Sequence, residues 1–352
     1  METPQSTQGQ VFISNLFQAG PMQMDPLVSA NIQFALDLFK HLDEVDKTVN
    51  LFVSPFSISA ALAMVHLGAK GTTASQMAEE FLEASEKYYQ AGLGAVDFVN
   101  GAEEARKEIN TWIEAQTAGK IKNVFAKHSL KSSMKLILVN ATYFRGNWSK
   151  QFDKRNTFSG QFKLNQNQVK NVEMMQRTED FNFIYIHEVA TKIIELPYLQ
   201  DELSMVILLP DDVNGLENLQ RSFTLDRLRN WTNPENMYKA KVRVTLPKFK
   251  LEEKYDLTLI LSRMGMVDAF HGLKANLSGM SRSNDLSLSK VIHQSFVEVN
   301  EEGTEAAAVT VISFLKRAVV AREEFMADHP FLFFIRHKKT QSILFYGRLN
   351  SP

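Results

Sequence analysis

Glu301-Glu302-Gly303-Thr304-Glu305-Ala306-Ala307-Ala308-Val309-Thr310-Val311-Ile312-Ser313-Phe314-Leu315-Lys316-Arg317-Ala318-Val319-Val320-Ala321-Arg322-Glu323 is a stretch whose local preferences conflict. Glu and Ala in its first half favour a helix, yet Gly303 interrupts the run, and Val309, Thr310, Val311 and Ile312 are β-branched. Upstream, Lys290 to Asn300 alternates as a strand does. Downstream, Phe331 to Arg336 and Ser342 to Arg348 are β-rich apolar runs split by polar His337 to Gln341, the pattern of a hairpin. A connection this long between strands is uncommon unless it is functional or disordered. From Thr304 the alternate positions Thr304, Ala306, Ala308, Thr310, Ile312 and Phe314 form one period-2 face, small at first and apolar later, which suits a strand entering a tight sheet. Gly303 supplies a flexible pivot. Lys316 and Arg317 offer two cations, and a basic residue is what the acidic specificity pocket of a trypsin-like protease accepts.

Glu301 to Ala308, followed by a loop and then by Ala327-Asp328-His329-Pro330-Phe331-Leu332-Phe333-Phe334, closely resembles the hinge and C-terminal signature of the serpin family, in the phrasing of its intracellular, ovalbumin-like branch (clade B). The resemblance runs from about Met24 to Pro352. It implies an α+β serpin fold, with three β-sheets, surrounding helices and an exposed reactive loop. Counting along the hinge places the scissile bond at Arg317-Ala318, with Lys316 and Phe314 as secondary specificity contacts. The hinge comprises Glu301, Gly303, Thr304, Glu305, Ala306, Ala307 and Ala308. Ser54, Ser57, Asn140 and His293 match the cluster over which the central sheet opens, Trp148 the point where the loop first enters, and Lys248 with Glu301 an ion pair at the top of the sheet. Read without the family, Ser54 is a helix cap and His293 a hydrogen-bonded core residue.

The implied activity is inhibition of a trypsin-like serine protease, the partner in a covalent acyl complex, by a suicide substrate whose cut loop enters the central sheet. No catalytic residue, cofactor or metal is expected. The molecule is expected to be a monomer with a risk of polymerisation. Two alternatives stay open: a non-inhibitory serpin acting as a binding or storage protein, for which bulky Val309 speaks, and a polymer-forming one. Small Ala306, Ala307 and Ala308 speak for inhibition.

Composition is compatible with this and excludes other classes. A chain of 352 residues that is 44% hydrophobic can bury a large core. Net charge of -1 provides no attraction for nucleic acid, and no apolar run is long enough to span a membrane. The absence of cysteine excludes disulfides and thiolate metal sites. Val11 to Phe17 is short, polar-flanked and without a basic lead, so a cytoplasmic protein is expected, with leaderless release as a second route. No Gly-x-Ser-x-Gly elbow occurs, His187-Glu188 lacks a second His at helical spacing, and Gly68 to Thr73 lacks the phosphate-loop order.

Along the chain, residues 1–24 are rich in Gln, Ser, Thr and Pro and read as a disordered extension, with 25–352 as a single serpin domain. Helices are expected from a Ser29 cap through Leu42, from Ser54-Pro55 to Gly68, from Thr72 or Thr73 to Phe81, from Ala102 to Ala118, from Leu216 to Asn230 and from Asp256 to Met264. Strands are expected at Leu51–Val53, Lys135–Phe144, Phe181–Leu196, Leu203–Leu209 and Lys241–Phe249. One departure from the family stands out. After Gln76-Met77-Ala78-Glu79-Glu80 the family continues through a helix, a central-sheet strand and the start of a further helix, whereas this chain passes directly to Phe81-Leu82-Glu83-Ala84-Ser85, which resembles the end of that further helix. A helix-strand-helix block is therefore expected to be missing near residues 80–81.

Overall fold

The computed structural model describes residues 10–12, 25–81, 97–281, 286–303 and 322–352. The first half contributes strand β1 (Gln10–Phe12), helix α1 (Asp25–Asp43), strand β2 (Leu51–Val53), helices α2 (Pro55–Gly68), α3 (Gly71–Phe81) and α4 (Phe98–Gln116), and strands β3 (Leu136–Phe144), β4 (Phe158–Asn165) and β5 (Gln168–Ile186). The second half adds β6 (Thr191–Pro197), β7 (Leu203–Pro210), α5 (Leu216–Arg221), α6 (Leu225–Thr232), β8 (Tyr238–Pro247), β9 (Phe249–Asp256), α7 (Thr258–Arg263), β10 (Leu288–Val299), β11 (Glu323–Met326), β12 (Phe331–His337) and β13 (Ile343–Leu349). Two compact units emerge from its contacts, each drawing on three stretches of chain. Among the described residues, no helix is long and apolar enough to cross a membrane.

The first unit takes in Met1–Val45, Val53–Tyr143 and Glu252–Phe296. Its α2 is buried over most of its surface, as a helix apolar nearly all round must be, and Ser54 caps it by accepting from the Ser57 N–H at 3.3 Å. Helix α1 begins at Asp25, not at a Ser29 cap, because buried Leu27 and Val28 extend the apolar stripe of Ile32, Ala35, Phe39 and Leu42 one turn earlier. Helix α4 likewise starts before the expected Ala102: the Asp97 carboxylate accepts from the Val99 and Asn100 N–H groups, and the chain kinks at Gly101. Ile109 and Ile113 of α4 pack with Ile121, Val124 and Phe125, with Ile137 and Val139 of β3 and with Ile292 and Phe296 of β10. The segment expected to be disordered, 1–24, contains β1, which pairs parallel to β3.

The second unit takes in Asp46–Phe52, Phe144–Leu251 and Val297–Pro352. Its strands join in the order β11-β8-β5-β6-β7-β12-β13-β2, with β4 also on β5. Among the described residues, a further sheet has the order β1-β3-β10-β9. Strand β5, at 19 residues, is shared: β4 pairs along Gln168–Met174, β8 along Met174–Phe183 and β6 along Asn182–Ile186. A single strand over Phe181–Leu196 does not form, because the chain turns over His187–Val189 and takes a left-handed conformation at Ala190 (φ 43°). The helix anticipated over Leu216–Asn230 is two, since Thr224 caps a fresh start at Leu225. Lys248 divides β8 from β9, and because β9 runs through Asp256 the helix expected from there is only Thr258–Arg263. Hairpin β12–β13 pairs antiparallel as anticipated.

Candidate functional site

Four of the anticipated residues meet inside the first unit. Ser57 Oγ donates to Asn140 Oδ1 at 2.8 Å, and Asn140 Nδ2 donates back to the Ser57 carbonyl at 3.1 Å. The Ser54 N–H donates to His293 Nε2 at 3.1 Å, so this nitrogen is an acceptor and Nδ1 carries the proton, which it gives to Asn140 Oδ1 at 2.7 Å. His293 is fully buried and Asn140 nearly so, while the Tyr255 ring stacks on the imidazole at 6.3 Å. Burial pushes the His293 pKa down to about 3. A proton on Nε2 would also confront the Ser54 N–H with a second donor.

This depression makes stability pH-dependent in one direction. The folded pKa of about 3 lies below the ordinary 6.5, so the unfolded chain binds the extra proton and folding weakens as pH falls from 6.5 towards 3. At full slope the loss is about 1.4 kcal/mol per pH unit. Urea unfolding at pH 7 and pH 5 is expected to show the parent losing about 2 kcal/mol more than His293→Gln. Equal losses in the two proteins would refute the assignment.

The other group lies in the second unit, where the chain leaves β10. Trp148 is buried, stacks on Tyr198 at 4.6 Å and 7°, and donates from Nε1 to the Asn300 carbonyl at 3.0 Å. Its own N–H donates to the Glu302 carbonyl at 3.0 Å, and that of Phe152 to the Glu301 carbonyl at 2.8 Å. Gly303 bridges both Asn147 and Asn300. It is more than a flexible pivot: at φ +127° a Cβ there would stand 2.3 Å from the Gly146 carbonyl oxygen and 2.6 Å from Asn147 Cα. Lys248 reaches Glu301 at 3.4 Å and Glu173 at 3.0 Å, and Thr157 Oγ1 donates to Glu301 at 2.8 Å. Burial raises the Glu301 pKa, but the Thr157 hydrogen bond and the Lys248 charge outweigh it and hold the carboxyl below its usual range.

Sequence reading missed the partners that fix this hinge. Lys154 pairs with Glu302 at 2.7 Å, from 148 positions away, and Asn300 Oδ1 accepts from the Glu302 N–H at 3.0 Å. No local motif marks such a pair; only the paired glutamates at 301 and 302 signal a demand for cations. Thr304, Glu305, Ala306, Ala307, Ala308, Phe314, Lys316, Arg317 and Ala318 lie outside the described residues. Strands β3 and β10 are direct hydrogen-bonded neighbours, with no strand between them. Among the described residues, no three His, Asp or Glu side chains stand together as metal ligands would.

The family model described as "Serpin (serine protease inhibitor)" matches residues 29–80 and 76–352. The chain belongs to the serpin family. The family description names inhibitors, not enzymes, with a serine protease as the partner. Relatives include leukocyte elastase inhibitor of Equus caballus, 44% identical over 379 residues with 94% of this chain and all of that protein covered. Serpin B8 of Homo sapiens is 44% identical over 375 residues, again with 94% and 100% covered. Uncleaved ovalbumin superposes with a TM-score of 0.83 at 33% identity, over 93% of this serpin and all of that chain. Since the alignment to the equine relative uses 94% of a 352-residue chain yet spans 379 positions, roughly fifty positions of that relative face a gap.

Proposed function

We propose that this serpin inhibits a trypsin-like serine protease by acting as its suicide substrate at Arg317-Ala318. One observation carries the reading: β3 and β10 are still adjacent, while the root of the loop, Glu301–Gly303, is fastened beside Asn147 and Trp148. The protease serine attacks the Arg317 carbonyl, the bond to the Ala318 nitrogen breaks, that nitrogen takes a proton, and an acyl-enzyme remains. The freed segment from Gly303 to Arg317, about 45 to 50 Å when extended at roughly 3.3 Å per residue, then adds as a strand between β3 and β10 and drags the acylated protease along. Deacylation stalls once the protease's catalytic geometry is distorted. The equine relative's name speaks of elastase; Lys316 and Arg317 are the residues that favour a trypsin-like partner here. We read the protein as cytoplasmic.

Mixing with trypsin and running a denaturing gel tests this. A covalent band at the summed mass of serpin and protease less the peptide from Ala318 to Pro352, which is released, is expected; complete cleavage without that band would favour the second reading. That reading, a non-inhibitory serpin, is supported by the gap. We infer that the block after Glu80 is absent from the folded protein, a reading supported by the division of the family match at 80 and 76.

A further inference from the structure

Strand β3 reads Leu136-Ile137-Leu138-Val139-Asn140-Ala141-Thr142-Tyr143-Phe144, without a charge, a proline or a glycine. Residues Ile137–Ala141 are buried without alternation, so both faces of the strand are covered. Such a strand belongs in the interior of a sheet, because an uncharged, flat edge offers a ladder of free N–H and C=O groups to any passing strand. One edge of β3 is taken by β10. On the other, among the described residues, stands only β1, with Gln10, Val11 and Phe12 in parallel register with Leu138, Val139 and Asn140. Val11, Phe12 and Ile13 are strong strand formers in a segment otherwise dominated by Gln, Ser and Thr.

We propose that Gln10–Phe12 is an edge strand supplied by the chain itself, which caps the outer side of β3 and keeps the molecule monomeric. Its register ends on Asn140, the residue whose side chain holds both Ser57 and His293, so the cap also steadies the backbone beneath that cluster. Removal of β1 leaves the same edge open to a second copy of the chain.

Hydrogen exchange on the full chain reads the cap directly. Amides within Gln10–Phe12 are expected to exchange at least about tenfold more slowly than in an unstructured chain. In a Val11→Pro/Phe12→Pro double variant that protection is lost, exchange over Leu138–Asn140 accelerates, and size-exclusion chromatography shows dimers and larger species. Adding a synthetic peptide of residues 10–17 restores the monomer, which separates loss of the cap from a failure to fold. Unstructured exchange rates over Gln10–Phe12 in the parent would overturn the proposal. So would a proline variant that stays monomeric with exchange over Leu138–Asn140 unchanged.

Discussion

Replacing Thr304 with arginine is expected to turn this serpin from an inhibitor of trypsin into a substrate, with covalent complex falling to less than about a tenth of the parent's yield while cleavage after Arg317 continues. Thr304 directly follows Gly303, whose backbone is held against Asn147 and Asn300 with no room for a Cβ, and in the proposed mechanism insertion begins at this residue. Along the strands proposed to receive it, Val139 and Ala141 of β3 are buried, as are Val297 and Val299 of β10. A threonine or alanine can enter such a layer. A guanidinium entering without partners costs several kcal/mol, enough to slow insertion by orders of magnitude and let deacylation win the race. A Thr304→Arg protein that forms as much stable complex as the parent would remove the insertion step from the account.

Arg317→Glu is expected to lower the rate of trypsin inhibition by at least about 10³-fold, because a carboxylate would be buried against the acidic specificity pocket instead of pairing with it. Residual cleavage should move to the bond after Lys316, and the size of that remainder measures how far Lys316 substitutes as the recognised cation. An unchanged melting temperature controls for folding. If the inhibition rate stays within a factor of two of the parent's, the scissile bond lies elsewhere in the loop.

How much of this was legible beforehand follows from how local each feature is. The Ser54-Pro55 start of α2 and the β12–β13 hairpin are written in a few consecutive residues, and both were readable. The Lys248–Glu301 pair came from the family resemblance, since nothing near Lys248 names its partner. The unbroken 19-residue run of β5 is hard to read because its start, Gln168–Glu173, which pairs β4, is mostly exposed and carries no buried apolar alternation. The steric need for glycine at position 303 is invisible in the sequence, because the crowding atoms belong to Gly146, Asn147 and Trp148, far away along the chain. The strand at Gln10–Phe12 is hidden by the Gln-, Ser- and Thr-rich composition of its surroundings, and its partners Leu138–Asn140 lie far away in sequence.

The claim on which the rest depends is that a severed loop becomes an internal strand between β3 and β10. Differential scanning calorimetry of the intact protein and of the same protein cut after Arg317 tests this most directly. A sheet that gains a full strand should melt roughly 20 °C or more above the uncut form. A cut protein that melts at or below the temperature of the intact one would show that the loop stayed outside, and would contradict the account.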